Sequence, residues 1–359
     1  MNFPNNLTVF VLAPSVETKD ENIDYYYDFS QSIGEYKKVF GELQLKWQWT
    51  PVTLNNFQEV ILTIKNECLF NNIQPLFFNL CDGDELNEAP GISVIKYLNE
   101  LKLNYTGSDE YFYEITTSKR NMKIAFDEHS VANAAWLFIN SIDDIDEDIF
   151  EKIGTPIIVK PAVSGGSMGV GVKNVVHNID ELREQVKQML SGYRGWNLNA
   201  GGIIAEQFIA GNEYTVLITG DYDKPESIKI YAPVERVFHQ SLPTEEQFLS
   251  FDRYWEIYED ESQMPNDENF YEYALPNENL IESIKQISWN AYVACKGKSY
   301  TRVDVRMDIA TKKLFMLEVN AQCGLSEDED YTSIGAILKF SNASFTSLVK
   351  DIILNSLKN

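Results

Sequence analysis

Apolar runs alternate with stretches of helical spacing over the first hundred residues. The runs LTVFVL (7–12) and PLFFNL (75–80) are almost wholly apolar, which predicts strands buried on both faces. Helical spacing predicts helices over 25–43, 56–66 and 91–101, and alternation in KWQWTPVT (46–53) predicts another strand. Strands alternating with helices indicate a parallel, Rossmann-like sheet, whose ligands bind beyond the carboxyl ends of the strands. Residues 15–17 and 82–85 are therefore expected at the open edge.

The rest of the chain predicts two further units of mixed α/β (α+β) character. The second has a helix over 117–128, strands over 135–139, 155–163 and 172–176, and a helix over 178–190. The third has strands over 203–209, 211–216 and 227–238, a helix over 277–296 and two short final helices. Its aperiodic segment 239–265 is long enough to predict a functional loop. The predicted units are 1–114, 115–201 and 202–359.

Residues 301–320, TRVDVRMDIATKKLFMLEVN, predict a hairpin of two alternating strands. Its predicted apolar face carries Val303, Val305, Met307, Phe315, Leu317 and Val319. Its predicted polar face carries Arg302, Asp304, Glu318 and Asn320. Three oxygen ligands beside one guanidinium suit a Mg²⁺–phosphate site. A surface hairpin with a solvated charged face explains the same alternation, and the hairpin alone does not separate the two interpretations.

Composition narrows the class of protein. The 359 residues are 44% hydrophobic and 13% aromatic, as expected of a folded enzyme. The formal net charge of −24 argues against nucleic-acid binding and against docking on anionic membranes, since both need a basic surface. Four scattered cysteines predict neither a disulfide framework nor a zinc site, and no stretch reaches the ~18 apolar residues that span a bilayer. A cytoplasmic protein is the expectation.

The most informative local signal is the glycine-rich loop SGGSMGVG at 164–171. Its backbone amides suit phosphate oxygens, although a flexible hairpin loop explains the composition too. Lys160 lies just upstream in an apolar strand, where an ammonium group needs an anion such as a nucleotide phosphate. Lys119 is a weaker candidate, because lysines at helix starts are usually solvated. Glu206 and Glu213 bracket a turn, where they are either exposed or placed to bind a ribose diol.

Seven segments in order resemble the ATP-grasp superfamily, specifically the D-alanine–D-alanine ligase family. They are YTGS (105–108), TSK (117–119), IIVKP (157–161), SGGSMGVGV (164–172), IAEQFIAGNEYTV (204–216), TRVDVRMD (301–308) and LEVNAQCGLS (317–326). Each is weak alone, but their order supports the assignment. The resemblance implies an N-terminal Rossmann-like domain followed by two α+β subdomains that enclose ATP.

The resemblance also implies roles for individual residues. It assigns ATP phosphates to Lys119, Lys160 and the loop residues Ser164, Gly165, Gly166, Ser167 and Met168. It assigns adenine to Glu206 and the backbone of Gln207, Phe208 and Ile209, and ribose to Glu213. It assigns Mg²⁺, as two ions that Mn²⁺ can replace, to Asp304, Glu318 and Asn320. The catalytic candidates are Arg302, which steadies the acyl phosphate, Ser167 and Glu17.

The chain departs from the family where the substrates are expected. The amino-terminal signature is absent, which leaves Glu17 as the candidate for the substrate ammonium group. Arg253 stands near the position of the family's loop lysine. After Asn320 the sequence differs, and the substrate-binding candidates there are Gly324, Thr332 and Ser333. The acidic run at 327–330 would favour a cationic amine.

These observations predict an ADP-forming ligase that activates a small carboxylate or amino acid and joins it to an amino acid amine. Altered substrates are favoured, because the ATP-side motifs are kept while the substrate-side motifs differ. Two alternatives stay open: a genuine D-alanine–D-alanine ligase, and a non-catalytic ATP-binding regulator. The expected partners are small molecules only, and the resemblance implies homodimerisation, which is common among similar enzymes.

Overall fold

A computed structural model of the chain describes residues 3–16, 28–192, 196–258, 261–265 and 268–357. The strands of the described residues are β1 Leu7–Pro14, β2 Lys46–Val52, β3 Gln74–Asn79, β4 Trp136–Ile139, β5 Ile157–Pro161, β6 Val175–Val176, β7 Ile203–Gln207, β8 Glu213–Thr219, β9 Lys229–Ile230, β10 Val234–Phe238, β11 Tyr271–Ala274, β12 Tyr300–Met307 and β13 Leu314–Ala321. The α-helices are α1 Ser30–Glu42, α2 Phe57–Phe70, α3 Ile92–Glu100, α4 Glu110–Thr117, α5 Lys119–Glu128, α6 Ile149–Ile153, α7 Ile179–Leu190, α8 Phe251–Tyr254, α9 Glu278–Ala294, α10 Ser333–Phe340 and α11 Phe345–Ser356. These strands form three sheets, which confirms the mixed α/β class.

The first sheet is parallel, with strand order β2-β1-β3. On one face, Val9 and Val11 pack against α1 and the two C-terminal helices, α10 and α11. On the other face, Phe10 and Leu12 pack against α2 and α3. Burial of each such side chain contributes about 1.5–3 kcal/mol. Because helices cover both faces, the strand is apolar at successive positions, and the predicted parallel sheet is confirmed.

The second sheet has four antiparallel strands in the order β4-β7-β5-β6. Its core packs against α7. The predicted unit boundary at 201/202 separates β7 from this sheet, and the boundary at 114/115 falls inside α4. Helix α4 was not predicted from the sequence. Asp109 caps it by accepting a hydrogen bond from the backbone N–H of Phe112 at 2.9 Å. The division into three domains stays a prediction.

The third sheet has six strands, in the order β11-β10-β8-β12-β13 with β9 also paired to β8. One face packs against α5 and α9, in a core that includes Met122, Phe126, Val303 and Val305. The opposite face carries charged side chains from β8, β10 and β12. Helix α5 also reaches the second sheet, because Lys123 contacts β7. On the charged face, Arg306 of β12 lies 5.1 Å from the ring of Phe208, which follows β7 of the second sheet.

The hairpin of β12 and β13 corrects one predicted face. The register pairs Asp304 with Glu318 and then Val305 with Met316, so Leu317 is an extra residue in a β-bulge. Met316 and Val319 are both buried in the core, whereas Phe315 and Leu317 are only half-buried. The expectation that Phe315, Leu317 and Val319 share one face was wrong, because the bulge reverses the alternation at Leu317.

Two predicted strands are also shorter than expected. Of residues 172–176 only Val175 and Val176 form a strand, because Asn174 folds the preceding turn by bonding Gly171 N–H and Val159 O. The predicted strand over 227–238 is divided into β9 and β10. Pro233 lies in the gap, and it has no N–H to donate to a sheet ladder.

Candidate functional site

Four polar side chains of the third sheet form a single cluster: Arg302, Asp304, Glu318 and Asn320. The register pairs Arg302 with Asn320 and Asp304 with Glu318. The Arg302 Nε donates to Asp304 Oδ2 at 3.1 Å. The Asn320 amide donates to the same oxygen at 3.1 Å and to Glu318 Oε1 at 3.2 Å. The structure thus brings together the four residues that the alternation predicted on one surface.

This cluster fits a hard cation such as Mg²⁺. Asp304 Oδ1 is buried and has no hydrogen-bond partner among the residues that the structure describes. A buried carboxylate oxygen without a donor is costly, so a ligand for it is expected. In the described ranges, no group of three or more His, Cys, Asp or Glu side chains is arranged to hold a metal. The cluster has two carboxylates, Asp304 and Glu318, and its third oxygen ligand would be the amide oxygen of Asn320, a residue type outside those four.

Arg302 retains its charge beside these acids. Burial alone lowers the pKa of the guanidinium, but Asp304, Cys323 and Glu318 outweigh burial and raise it above its usual value. The half-buried guanidinium lies 3.8 Å from Glu318 Oε1. A fixed positive charge next to two carboxylates that would hold a cation is suited to stabilising a charged phosphoryl group.

A second cluster joins α5, β5 and β7. The two oxygens of Glu206 contact Lys123 Nζ and Lys160 Nζ, each at 2.5 Å. Burial raises the pKa of Glu206, but Lys123 and Lys160 together lower it to about 2. The anion that Lys160 needs is therefore supplied within the protein. The predicted contact of Glu206 with adenine stays a prediction.

The low pKa of Glu206 predicts a specific loss of stability in acid. Its folded-state pKa of about 2 lies below its ordinary value of 4.5, so its stabilising contribution is complete above pH 4.5. That contribution, about 3 kcal/mol, is lost as the pH falls from 4.5 towards 2. Glu206→Gln should lower the free energy of unfolding at pH 7, as measured with urea. The difference in this free energy between the variant and wild type should become smaller as the pH falls from 4.5 towards 2. Glu128→Gln, an exposed glutamate of α5, is the control; parallel pH curves for Glu206→Gln and wild type would contradict the assignment.

The glycine-rich loop lies against Lys119. The Lys119 ammonium donates to Ser164 O at 3.0 Å and Ser164 Oγ at 3.3 Å. Burial lowers the pKa of Lys119, and the nearby Lys160 lowers it further while Glu318 opposes the shift. Ser167 has a left-handed φ of 62°. Of the predicted phosphate ligands Ser164, Gly165, Gly166, Ser167 and Met168, Ser164 thus contacts Lys119. Their binding of phosphate stays a prediction.

The segment 239–265, as far as it is described, packs on this glycine-rich loop. Trp255 Nε1 donates to Gly166 O at 2.8 Å, and Phe251 N–H donates to Val170 O at 2.8 Å. Arg253 is buried within the segment and forms ion pairs with Glu246 at 2.6 Å and Glu261 at 3.6 Å. The predicted nucleotide role of Arg253 stays a prediction; its observed contacts hold the segment together.

Glu213 lies in a row across three adjacent strands. It contacts Arg236 Nη1 on β10 and lies 3.5 Å from Arg306 Nη1 on β12. At the end of β7, the backbone N–H groups of Gln207 and Phe208 donate to Ala135 O and Pro156 O, both at 2.9 Å. The predicted binding of ribose by Glu213 and of adenine by Gln207, Phe208 and Ile209 stays a prediction.

The substrate candidates are less closely grouped. Glu17 lies outside the described residues. A Cβ added to Gly324 would meet open space. The Thr332 hydroxyl caps α10, donating to Asp328 O at 2.6 Å and accepting from Gly335 N–H at 3.1 Å, and Ser333 follows it, buried.

The acidic run at 327–330 is engaged by the protein's own groups. Glu327 pairs with Lys38 at 2.7 Å, and Glu329 pairs with Lys339 at 2.8 Å. Asp328 Oδ1 accepts from the backbone N–H groups of Asp330 and Tyr331. The expectation that this run favours a cationic amine stays a prediction.

Sequence reasoning missed two buried residues of the site. Gln322 Nε2 donates to Cys81 O at 2.8 Å, and its Oε1 accepts from Ser108 N–H at 3.3 Å. It joins the segment after Asn320 to the carboxyl end of β3. A Cβ on Gly107, whose φ is 99°, would lie 2.2 Å from Gln322 Oε1, so this contact requires glycine. The other missed residue is Lys123, for which the four-residue spacing from Lys119 was the available signal.

The sequence model of the family described as "D-ala D-ala ligase C-terminus" matches residues 127–354, well over half of the chain. The chain belongs to the D-alanine–D-alanine ligase family. The matched range contains most of the clusters above, from Lys160 to Thr332. Among the described residues, none of the helices is both long and apolar enough to cross a membrane.

Relatives within the family are distant. A D-alanine–D-alanine ligase of Borrelia duttonii (strain Ly) is 25% identical over 60% of this chain and 52% of its own, so the chain spans about half the length of that relative. The ligase of Clostridium botulinum (strain Alaska E43 / Type E3) is 25% identical over 86% of this chain and 90% of its own. The crystal structure of the Bacillus anthracis D-alanine–D-alanine ligase complexed with ATP matches with a TM-score of 0.65 at 18% identity, covering 98% of this chain and 97% of that chain. This likeness confirms the ATP-grasp fold.

Proposed function

We propose that this D-alanine–D-alanine ligase family member is an ATP-dependent, ADP-forming carboxylate–amine ligase. The observation that carries the proposal is the buried Asp304 Oδ1, which has no hydrogen-bond partner in the described part of the chain and lies in the cluster of Arg302, Glu318 and Asn320. A hairpin with only a solvated charged face would not bury a carboxylate oxygen without a donor, whereas a bound cation would be its partner. Family membership and the names of the relatives support the same reaction class.

The proposed reaction forms one C–N bond. A carboxylate oxygen of one substrate would attack the γ-phosphorus of ATP, the bond from that phosphorus to the β,γ-bridging oxygen would break, and ADP would leave. The amine nitrogen of the other substrate would then attack the carbonyl carbon of the acyl phosphate. The C–O bond to phosphate breaks, phosphate leaves, and the nitrogen loses a proton. When bound, ATP supplies the phosphoryl group, and Mg²⁺ neutralises part of the charge of that group.

The chain's own residues position and stabilise charge in this proposal. Lys119 and Lys160 lie near the glycine-rich loop and would bind phosphate oxygens, while Asp304, Glu318 and Asn320 would hold Mg²⁺. Arg302 would steady the reacting carboxylate, because its guanidinium retains a positive charge next to that cluster. Phosphoryl transfer depends mainly on such positioning and charge neutralisation.

Substrates other than two D-alanine molecules are the finer part of the proposal. The segment after Asn320 departs from the family, and Gln322 fastens it to the end of β3 by contacts to Cys81 and Ser108. A changed anchor beside the expected substrate pocket supports a changed substrate. Synthesis of D-alanyl-D-alanine is the second candidate, which the names of the relatives favour.

The test is ADP release from Mg²⁺-ATP with a panel of paired amino acids and small carboxylic acids. We expect turnover with at least one pair that is not D-alanine alone, and a mass-identified amide product. Turnover confined to D-alanine would support the proposed ligase reaction and contradict the proposal of altered substrates. Tight ATP binding without turnover for every pair would instead favour the regulator.

A further inference from the structure

Lys123 is a buried lysine that the proposed reaction does not use. It lies on α5, one turn after Lys119, and its side chain is 3% exposed. Its ammonium contacts Glu206 Oε2 at 2.5 Å and is 3.4 Å from Asn133 Oδ1. Its neighbours Met122 and Phe126 pack in the core of the third sheet. The ammonium therefore lies on the inner side of Glu206.

Lys160 lies on the outer side of the same carboxylate. It contacts Glu206 Oε1 at 2.5 Å, and its side chain is 19% exposed, against 4% for Glu206. Exposure thus increases from Lys123 and Glu206 to Lys160, so Lys160 is the member that a ligand in the cleft can reach. The three groups together carry a charge of about +1 at neutral pH, because two ammonium groups outweigh one carboxylate.

We propose that Lys123 sets the positive charge of the phosphate site without touching the phosphates. It neutralises Glu206 from the buried side, which leaves the charge of Lys160 available to an anion in the cleft. Without Lys123, Glu206 would cancel Lys160, and the cluster would carry no net charge. Lys123 is a positioning residue that acts through Glu206, and this inference rests on the proposed ATP site.

A purely structural role for Lys123 makes a different prediction. Lys123 also ties α5 to β7, so its removal would destabilise the fold whatever the ligand. The double variant Lys123→Met/Glu206→Gln separates the effect of the net charge from the effect of the structural contact. That variant loses the Lys123–Glu206 ion pair but restores a charge of about +1 through Lys160 alone.

The experiment measures binding of ATP, ADP and adenosine by calorimetry with Mg²⁺ present, together with the unfolding temperature of each variant. Lys123→Met should weaken ATP binding about 10- to 100-fold, as expected for one unit charge roughly 6–12 Å from a phosphate at an effective dielectric constant of about 20. ADP should be affected less than ATP, and adenosine should be unaffected. The double variant should restore the ratio of ATP affinity to adenosine affinity to within about threefold of wild type, because loss of a Glu206 contact with adenine would affect both ligands alike. Lys123→Arg should match wild type in this ratio.

Several results would overturn the inference. These are unchanged ATP binding in Lys123→Met, an equal loss for ATP and adenosine, or no recovery in the double variant. If Lys123→Met does not fold, Lys123→Gln, which keeps a polar group near Asn133, takes its place with the same expected losses. Failure of the wild-type protein to bind ATP would overturn the proposed function and this inference together, whereas wild-type binding with unchanged Lys123→Met overturns the inference alone.

Discussion

Replacing Glu318 by glutamine is expected to reduce Mg²⁺-dependent turnover about 10³-fold while leaving the fold intact. Glu318 is one of two carboxylates in the candidate metal cluster, and its Oε1 lies 3.2 Å from Asn320 Nδ2. Glutamine keeps the shape of the side chain but removes its negative charge, which weakens the hold on a divalent cation. The measurement is ADP release with the best substrate pair, over a range of Mg²⁺ concentrations.

Stability should separate loss of metal binding from loss of structure. The Glu318 side chain is 32% exposed, and it contacts Arg302 and Asn320. The unfolding free energy of the Glu318→Gln protein should therefore differ from that of wild type by less than about 0.5 kcal/mol. Glu272→Gln, an exposed glutamate on β11 in the same sheet, is the control and should keep full activity. Wild-type turnover by Glu318→Gln at a low Mg²⁺ concentration would refute the metal assignment. So would a turnover of this variant that stays unchanged at high concentrations of Mg²⁺ or Mn²⁺.

The strands that the sequence predicted best are those whose alternation is unbroken. In β12, Val303 and Val305 are buried in the core while Arg302 and Asp304 lie on the opposite face, as period-two alternation requires. In the partner strand, β13, the predicted alternation was wrong at Leu317. A bulge adds one residue without a distinctive composition, so its position depends on pairing with β12 rather than on the local sequence.

The charged contacts could not be predicted in the same way. Lys123 and Lys119 both look like solvated lysines near a helix start, and only the approach of β7 makes Lys123 a buried partner of Glu206. Glu213 likewise looks like an exposed acid beside a turn. Its burial between Arg236 and Arg306 follows from the registers of β8 with β10 and β12, which join residues up to 93 positions apart in the chain.

Replacing Glu213 by glutamine should cost about 3–5 kcal/mol of unfolding free energy, the largest stability loss expected from one substitution in the site. The register places Arg236, Glu213 and Arg306 directly across three neighbouring strands. The side chains of all three are at most 6% exposed. Glutamine would leave two buried guanidinium groups without a counterion, which costs far more than the loss of a surface pair.

Urea unfolding measures this loss, with Glu235→Gln as the matched control. Glu235 is the neighbour of Arg236 on β10 and is half-buried, but its side chain accepts a bond from Asn212 at 2.6 Å rather than from an arginine. It should cost about 1 kcal/mol. Equal losses for the two variants would mean that the arginine row contributes little to stability.

The same variant separates the structural role of Glu213 from its predicted role as a ribose ligand. A carboxylate that binds the ribose diol should favour ATP over 2′,3′-dideoxy-ATP, and Glu213→Gln should reduce that preference. A purely structural glutamate should lower the affinity for both nucleotides equally, or for neither. Because Arg236 and Arg306 already engage both oxygens of Glu213, each oxygen has at most one remaining lone pair for a hydroxyl group. We therefore expect a larger effect of this substitution on stability than on the preference between the two nucleotides.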